Sequence, residues 1–212
     1  MNLLIIPTLQ SCSFIFFTEE KITENITLDK SKTFSESIML SPFWKNTQNI
    51  FFISGPASFT TLRNMSVFLE TLKNFSHDMK AENKEYNFYN ISMQKFLENF
   101  IIHKKTDTNN LFLYSVGKRE VFIFNKKSTI KKYEKIKNKD LKEYIQNNNY
   151  TTCSGFLSEN IITILNENNL DFINFKDTLE NNLDFKKLIS EENKTNYLNK
   201  ITIDYGSLPT IG

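Results

Sequence analysis

The chain is poor in the residues that usually carry chemistry or punctuate a backbone: 212 residues include 5 glycines, 4 prolines, 2 histidines, 2 cysteines and 1 tryptophan. Cys12 and Cys153 lie far apart and share no metal-ligand or disulfide-framework spacing. That argues against a disulfide-stapled scaffold and fits free, buried thiols in a reducing cytoplasm. His77 and His103 lack the His-x-x-x-His spacing of a helical metal site, so metal-peptidase chemistry has no support. Neither cysteine has a neighbouring base, and no Gly-x-Ser-x-Gly is present, which removes the usual signs of a thiol or serine nucleophile. Charge of one sign is also missing. The 26 Lys+Arg stand against 24 Asp+Glu, interspersed, and the Lys-rich stretch from Lys126 to Lys139 reads as a solvated face rather than a nucleic-acid surface. No run approaches the roughly 18 apolar residues of a membrane span. Met1 to Phe17 is apolar, but it lacks a basic start and a small-residue cleavage site and is interrupted at Pro7 and Gln10, so it reads as strands and not as a leader.

What is abundant is apolar mass. Hydrophobic residues make up 40%, with 20 phenylalanines and a visible excess of Asn, Lys and Ile, a composition that fits an A+T-rich genome. The length suits one large domain or two small ones with a proper core.

The chain is organised around Gly55 to Asn64. Asn49 to Ser54 is a short apolar, β-rich run of the kind a buried strand shows, and Gly55-Pro56 stops it. Ser58 suits an N-cap, and Leu62, Met65, Leu69 and Leu72, flanked by Phe68 and Phe75, repeat at helical spacing. Such a strand-to-helix elbow presents unpaired N–H groups at the carboxyl edge of a sheet, where an anion or a partner's acidic group can sit. The plain alternative is a tight turn in which Ser58 only caps the helix. Without a following Lys, the elbow is not a P-loop.

On either side the same reading yields an α/β protein. Leu3–Ile6, Ser13–Phe17 and Lys21–Leu28 read as a three-stranded meander, the last suited to a sheet edge. Ser35 to Trp44 reads as a short helix broken near Pro42, and His77 to Glu85 as a loop. Tyr86 to Ile91 reads as a strand, and Ser92 caps a helix carrying Met93, Phe96, Leu97, Phe100 and Ile101. Lys104 to Asn110 is the best linker, dividing a first lobe, 1–103, from a second, 111–212. The second lobe opens with the hairpin Leu111–Tyr114 and Val121–Phe124. A helix over Asp140–Gln146, a strand over Tyr150–Gly155, a helix from Ser158 to Asn168 and a last helix over Asp184–Glu191 follow, with 194–212 as a tail.

The run Gly-Pro-Ala-Ser-Phe-Thr-Thr-Leu-Arg, Gly55 to Arg63, resembles the Gly-Pro-Gly-Ser-Phe-Thr-Gly-Leu-Arg signature of the bacterial TsaB (YeaZ) family, departing at Ala57 and Thr61. Thr8, Cys12 and Ser13 fit that family's first hairpin, Ile91-Ser92 its Val-Ser-Ser segment, and Lys118, Glu120, Val121 and Phe122 its second hairpin. Pro7 and Ser115 stand where the family has aspartates, and the stretch before Gly55 is shorter than the family's. The resemblance covers residues 3 to about 160 in order. It implies two actin-like (ASKHA, ribonuclease H-like) lobes, the second smaller. It implies a cytoplasmic, non-catalytic scaffold that pairs with a TsaD-like catalytic subunit, with a TsaE-like ATPase as third partner, in making threonylcarbamoyladenosine (t6A) in tRNA. tRNA would be met only indirectly, a homodimer is the other pairing, and no membrane is involved. No cofactor would be bound tightly, with at most weak ATP or ADP at a subunit interface, no metal site and no catalytic residue.

On this reading the anion or partner contact comprises Gly55, Pro56, Ser58, Phe59, Thr60 and Arg63, and the interface Leu62, Met65, Phe68 and Leu69, with Met65 or Phe68 reaching a partner helix. The apolar stripe of the helix is wider than a one-sided surface helix needs, the plain alternative being that all of these residues pack inside the lobe. Two rivals remain: a small ATPase or phosphotransferase of the actin-like superfamily holding phosphate at Gly55–Arg63, and a drifted relative with a different partner.

Overall fold

The computed structural model describes residues 1–8, 12–28, 32–55, 57–78, 86–99, 110–115, 119–124, 133–175, 178, 183–190 and 201, leaving aside the side chains of 75–78, 94, 98 and 99. The chain divides into two compact units. The first is Met1–Phe96 together with the chain from Asp184 onward, and the second is Leu97–Leu183. The division corrects the expected lobe boundaries, because Asp184 to Ser190 belong with the first unit and not with the second. Of the linker expected over Lys104–Asn110, residues 104–109 lie outside the described residues, as do Phe100, Ile101 and His103, and Asn110 already belongs to a strand.

In the first unit, β1 (Asn2–Pro7), β2 (Cys12–Phe17) and β3 (Ile22–Thr27) form an antiparallel meander. β4 (Asn49–Ile53) and β5 (Asn87–Ile91) then add parallel to β1, giving the order β3-β2-β1-β4-β5. β1 is buried along its whole length. A strand covered on both faces reads as a continuous apolar run rather than an alternating one, as Leu3 to Ile6 does. The antiparallel edge strand β3 is more polar and half-exposed, as its sequence suggested.

Leu3, Ile5, Phe14, Phe16, Ile50 and Phe52 line one face of this sheet and form a core with α1 (Phe34–Met39), a 3-10 turn at Trp44–Asn46 and α2 (Phe59–Asp78). Leu4, Ile6, Ile15, Phe17, Phe51 and Ile53 are buried on the other face. There the rings of Phe17 and Phe51 lie 5.9 Å apart and those of Phe51 and Tyr89 4.8 Å apart. The helix expected over Ser35–Trp44 is two elements. The first opens on a capping box, in which the Thr33 N–H donates to Glu36 Oε2 at 2.7 Å and the Glu36 N–H to Thr33 Oγ1 at 3.2 Å. α2 continues to Asp78, so His77 lies in a helix and not in the expected loop. α3 (Met93–Asn99) follows β5, with the Ser92 hydroxyl accepting from Lys95 N at 3.2 Å.

The second unit repeats the plan. β6 (Asn110–Ser115), β7 (Glu120–Phe124) and β8 (Glu134–Lys137) are antiparallel neighbours. α4 (Leu141–Asn147) leads to β9 (Thr152–Phe156), and α5 (Glu159–Glu167) leads to β10 (Asp171–Asn174). β9 and β10 run parallel to β6, so the order β8-β7-β6-β9-β10 repeats that of the first sheet strand for strand. β8 and β10 are additions to the sequence reading. β8 is Glu-Lys-Ile-Lys, polar because it is an edge, with Lys135 bridging Glu120 at 2.8 Å. β10 is four residues long, too short for a period to show.

Leu111, Leu113, Val121 and Ile123 pack with α4 and α5 on one face of this sheet. The opposite face is aromatic, with Phe112, Tyr114, Phe122 and Phe124 buried and Tyr133 edge-on to Phe122 at 4.8 Å. Both helices end alike. Asn149 and Asn169 adopt the left-handed conformation (φ 56° and 52°), and Tyr150 N and Leu170 N donate back to Ile145 O and Leu165 O, each at 3.1 Å. These are Schellman closures with Asn in the place glycine usually takes. A final helix, α6 (Phe185–Ile189), belongs to the first unit.

Candidate functional site

The elbow expected at Gly55 is present at the carboxyl end of β4. Ser54 N extends the ladder by one bond to Ile91 O at 2.9 Å, and Gly55 then turns the chain at φ 131°, a region that residues with a Cβ avoid. Pro56 lies outside the described residues. Ala57 is buried, and Ser58 caps α2: its hydroxyl accepts from Thr61 N at 3.1 Å, and its carbonyl from Leu62 N at 3.0 Å. Ser58 Oγ also lies 2.7 Å from Thr61 Oγ1. Thr61, where glycine was the family expectation, therefore fills the first turn with a hydroxyl that closes on the cap. Ser58 is engaged inside the protein, which favours the capping role the sequence left open. Phe59, Thr60 and Arg63 point outward.

The stripe on α2 is wide for an internal reason. Leu62, Met65 and Leu69 are fully buried, and Phe68 and Leu72 nearly so. Phe68 reaches Phe34 of α1 at 6.0 Å and Trp44 of the 3-10 turn at 6.5 Å. α2 therefore has a sheet beneath it and a helix and turn beside it, and the second side of the stripe serves these neighbours. The expectation that Met65 or Phe68 reaches a partner is corrected: Leu62, Met65, Phe68 and Leu69 are core residues of the first unit. Among the described residues of the first unit, the large apolar ones that do face solvent are Met39 (52% exposed) and Leu40 (75%) at the end of α1, and Phe59 (48%) and Val67 (60%) on α2. At about 100° per residue Val67 falls on the face of α2 opposite the buried stripe, so helical periodicity alone places it outward.

The two positions where aspartates were the family expectation close their strands in the same way. Pro7 ends β1 and Ser115 ends β6. Asn2-Leu3-Leu4-Ile5-Ile6-Pro7 and Asn110-Leu111-Phe112-Leu113-Tyr114-Ser115 occupy matching strands of the two sheets. The Ser115 hydroxyl accepts from Ser158 N at 2.8 Å. Ser158 belongs to the strand-turn-helix expected over Tyr150 to Asn168, whose likeness to the first elbow sequence reasoning missed: Ser154-Gly155-Phe156-Leu157-Ser158 repeats the Ser-Gly-x-x-Ser of Ser54 to Ser58, and Gly155 too has positive φ, 146°. Comparing the two strand-to-helix junctions residue by residue would have found it.

No group of three or more His, Cys, Asp or Glu side chains that could hold a metal occurs among the described residues. Both thiols are buried, which raises the Cys12 pKa and pushes that of Cys153 up to about 12, so neither is a thiolate at neutral pH. No described helix is long and apolar enough to cross a membrane.

Among the solved structures that resemble this chain are two of the YeaZ type. One is YeaZ from Pseudomonas aeruginosa, the other an uncharacterised protein with similarity to peptidase YeaZ from Pseudomonas aeruginosa. Each shares 10% identity at a TM-score of 0.38, over 64% of this chain and 65% of the other, so the match spans just under two thirds of the length of these structures. They carry the same family name as the Gly55–Arg63 resemblance. No family model matches the chain, and no curated protein does.

Proposed function

We propose that the chain is a non-catalytic, TsaB-like scaffold of two actin-like lobes that pairs with a TsaD-like catalytic subunit in tRNA threonylcarbamoyladenosine modification. One observation carries the reading: the sheet order β3-β2-β1-β4-β5 occurs twice, with the Gly55–Arg63 signature at the first strand-to-helix elbow and no carboxylate at the end of either first strand. Proline offers a metal–phosphate neither a carboxylate nor an N–H, and the Ser115 hydroxyl already accepts a hydrogen bond from Ser158 N. A protein of this kind acts through contact. With Leu62, Met65, Phe68 and Leu69 inside the core, the contact falls to the outward residues of the same helices: Leu40, Phe59, Arg63 and Val67. A TsaE-like ATPase completes the assembly, any ATP or ADP is held weakly where subunits meet, tRNA is met through the partner, and the setting is the cytoplasm.

The test is co-purification with a TsaD-like subunit from the native cell. Phe59→Asp and Val67→Asp are expected to abolish pull-down while leaving the melting temperature within a few degrees of the parent, since an apolar anchor at an interface is worth roughly 1–3 kcal/mol. Retained pull-down by both folded variants would overturn the assignment of the surface. Metal-dependent ATP turnover by the purified chain, abolished by Arg63→Ala, would overturn the scaffold reading itself.

A further inference from the structure

The two Schellman closures of the second unit stand side by side. β9 and β10 pair with Thr152 opposite Asp171, so the turns that end α4 and α5 feed adjacent strands at the amino edge of the sheet, the end away from Gly155. Between them is a cleft of about 350 Å³, at the small end of the roughly 300–1,000 Å³ usual for small-ligand sites. Ile145, Tyr150 and Leu170 form its apolar wall. Tyr150 and Leu170 each follow a left-handed asparagine, so the turns themselves set this wall, and the Tyr144 ring, parallel to that of Tyr150 within 11° at 6.3 Å, holds the plane of the aromatic part. The rest of the lining is polar, with Lys142 its charged side chain and no carboxylate. Asn168 spends an N–H on Ile164 O at 2.6 Å, whereas the carboxamides of Gln146 and Asn149, which also line the cleft, make no hydrogen bond with any described residue. The carbonyls of Ile145, Gln146, Leu165 and Asn166 each accept an N–H of their own turn, so the two helix ends offer little bare negative charge to a bound anion.

We propose that this cleft is a nucleotide site, in which a base lies on Tyr150 and Leu170, its edge meets the carboxamides of Gln146 and Asn149, and its phosphate sits by Lys142. A carboxamide sets a donor beside an acceptor, the pattern that pairs with the N6–H and N7 edge of adenine, so adenine is the base that fits best. Lys139 stands three residues before Lys142, in the 3-10 turn that opens α4, and adds a second cation on the same side. Charge along the chain points the same way. Lys118 to Glu143 holds ten Lys or Arg against four Asp or Glu, while the remainder of the chain is acidic, so the small net charge conceals a basic stretch that runs into α4 and draws anions toward it. A free mononucleotide and one residue of a single-stranded RNA present the same chemistry. The site uses none of the Gly55–Arg63 surface and stands independently of the scaffold reading.

The test is calorimetric titration of the full-length chain with AMP, adenosine, UMP and a short oligoadenylate. AMP is expected to bind, and adenosine and UMP to bind several-fold more weakly. Gln146→Ala and Asn149→Gly are each expected to weaken AMP roughly three- to tenfold, the loss of about one hydrogen bond. Glycine keeps the left-handed closure while removing the carboxamide, and Lys142, Gln146 and Asn149 are exposed, so all three variants should melt within a few degrees of the parent. Lys142→Ala is expected to weaken AMP by a similar factor and to leave adenosine unchanged, a split that a merely structural role would not produce. Tighter binding of the oligoadenylate than of AMP, weakened by the same variants, assigns the ligand to an RNA strand, and equal or weaker binding assigns it to the free nucleotide. No binding of AMP or oligoadenylate at millimolar concentration, or binding that the three variants leave unchanged, would overturn the proposal.

Discussion

Alanine at Gly155 is the sharpest perturbation this fold offers. Gly155 sits inside β9 opposite Leu113 of β6, at φ 146°. A Cβ built there would lie 1.8 Å from the Leu113 carbonyl oxygen, 2.8 Å from its carbon and 3.1 Å from its nitrogen. These are backbone atoms of the central strand, so no side chain can swing aside. Carbon and oxygen approach no closer than about 3.3 Å in even the tightest strand contacts, so the two strands must separate by more than an ångström or the residue must abandon its φ. Backbone strain of about 1–3 kcal/mol and overpacking of about 1–3 kcal/mol give an expected loss of about 2–6 kcal/mol. For a unit of this size that lowers the melting temperature by roughly 10 °C or more. Urea unfolding of Gly155→Ala, read by amide exchange in β6, β7 and β9, measures the loss. A variant within about 1 kcal/mol of the parent would refute the reasoning, because the contact leaves no inexpensive relaxation.

Other outcomes follow from the same geometry. Asn149→Ala and Asn169→Ala are each expected to lose about 1–2 kcal/mol in chemical denaturation, since alanine tolerates the left-handed conformation poorly, whereas glycine at either site should match or exceed the parent. The Glu36 carboxyl is held below its ordinary range by hydrogen bonds from the Thr33 backbone and side chain, so its contribution to stability is present above about pH 4.5 and lost as pH falls through the lowered value; Glu36→Gln should flatten this acid limb in urea midpoints taken from pH 3 to 7. The buried thiols behave in the opposite sense. Their raised pKa values keep the folded state protonated, so the stability they contribute is full below about pH 9 and falls at higher pH, for Cys153 as pH rises through about 12, and Cys153→Ala should weaken that alkaline loss. Gly55→Val should destabilise the first unit, because a β-branched residue at φ 131° is strained in any surroundings, and a parental melting temperature would show the elbow to be an ordinary loop.

Strands buried on both faces were legible because a run such as Leu3–Ile6 has no polar residue to confuse its reading. Helices were legible where an apolar period met a serine at the N-cap position, as at Ser58, Ser92 and Ser158, although the expected capping bond forms only at the first two. Edges were not. β8 is Glu-Lys-Ile-Lys, and its place in the sheet comes from pairing with β7, which no local pattern encodes. The Thr33-x-x-Glu36 capping box could have been found by spacing alone and would have moved the start of α1 to Phe34. On α2 the width of the apolar stripe was read correctly and its cause wrongly: a helix between a sheet and a second helix needs as broad a stripe as one waiting for a partner, and only Phe34 and Trp44 distinguish the cases. The return of Asp184 to the first unit depends on long-range packing of Phe185 and Leu188, which a five-residue helix does not announce.

The two halves of the chain also separate what the fold requires from what it does not. Each keeps a glycine of positive φ at the strand-to-helix elbow and a serine three residues later, although the chain has only 5 glycines in all. Each lacks a carboxylate at the end of its first strand. Glycine there is enforced by backbone geometry whatever the protein does, whereas a strand-end carboxylate is needed only where a metal or phosphate must be held. The serines have diverged as structural parts can. Ser58 caps its helix through its own hydroxyl and is sealed by Thr61, whereas Ser158 makes no side-chain cap and is held through its N–H by Ser115, which stands at the position in question. Ser115 is thus occupied with supporting the second elbow. Restoring a carboxylate by Ser115→Asp would keep an acceptor for Ser158 N but set a charge beside a mostly buried turn, so the expected result is a loss of stability with no gain of metal binding by titration calorimetry with magnesium. Magnesium binding by that variant would show the second elbow to be a phosphate site only one residue from function, and the scaffold reading would then rest on Pro7 alone.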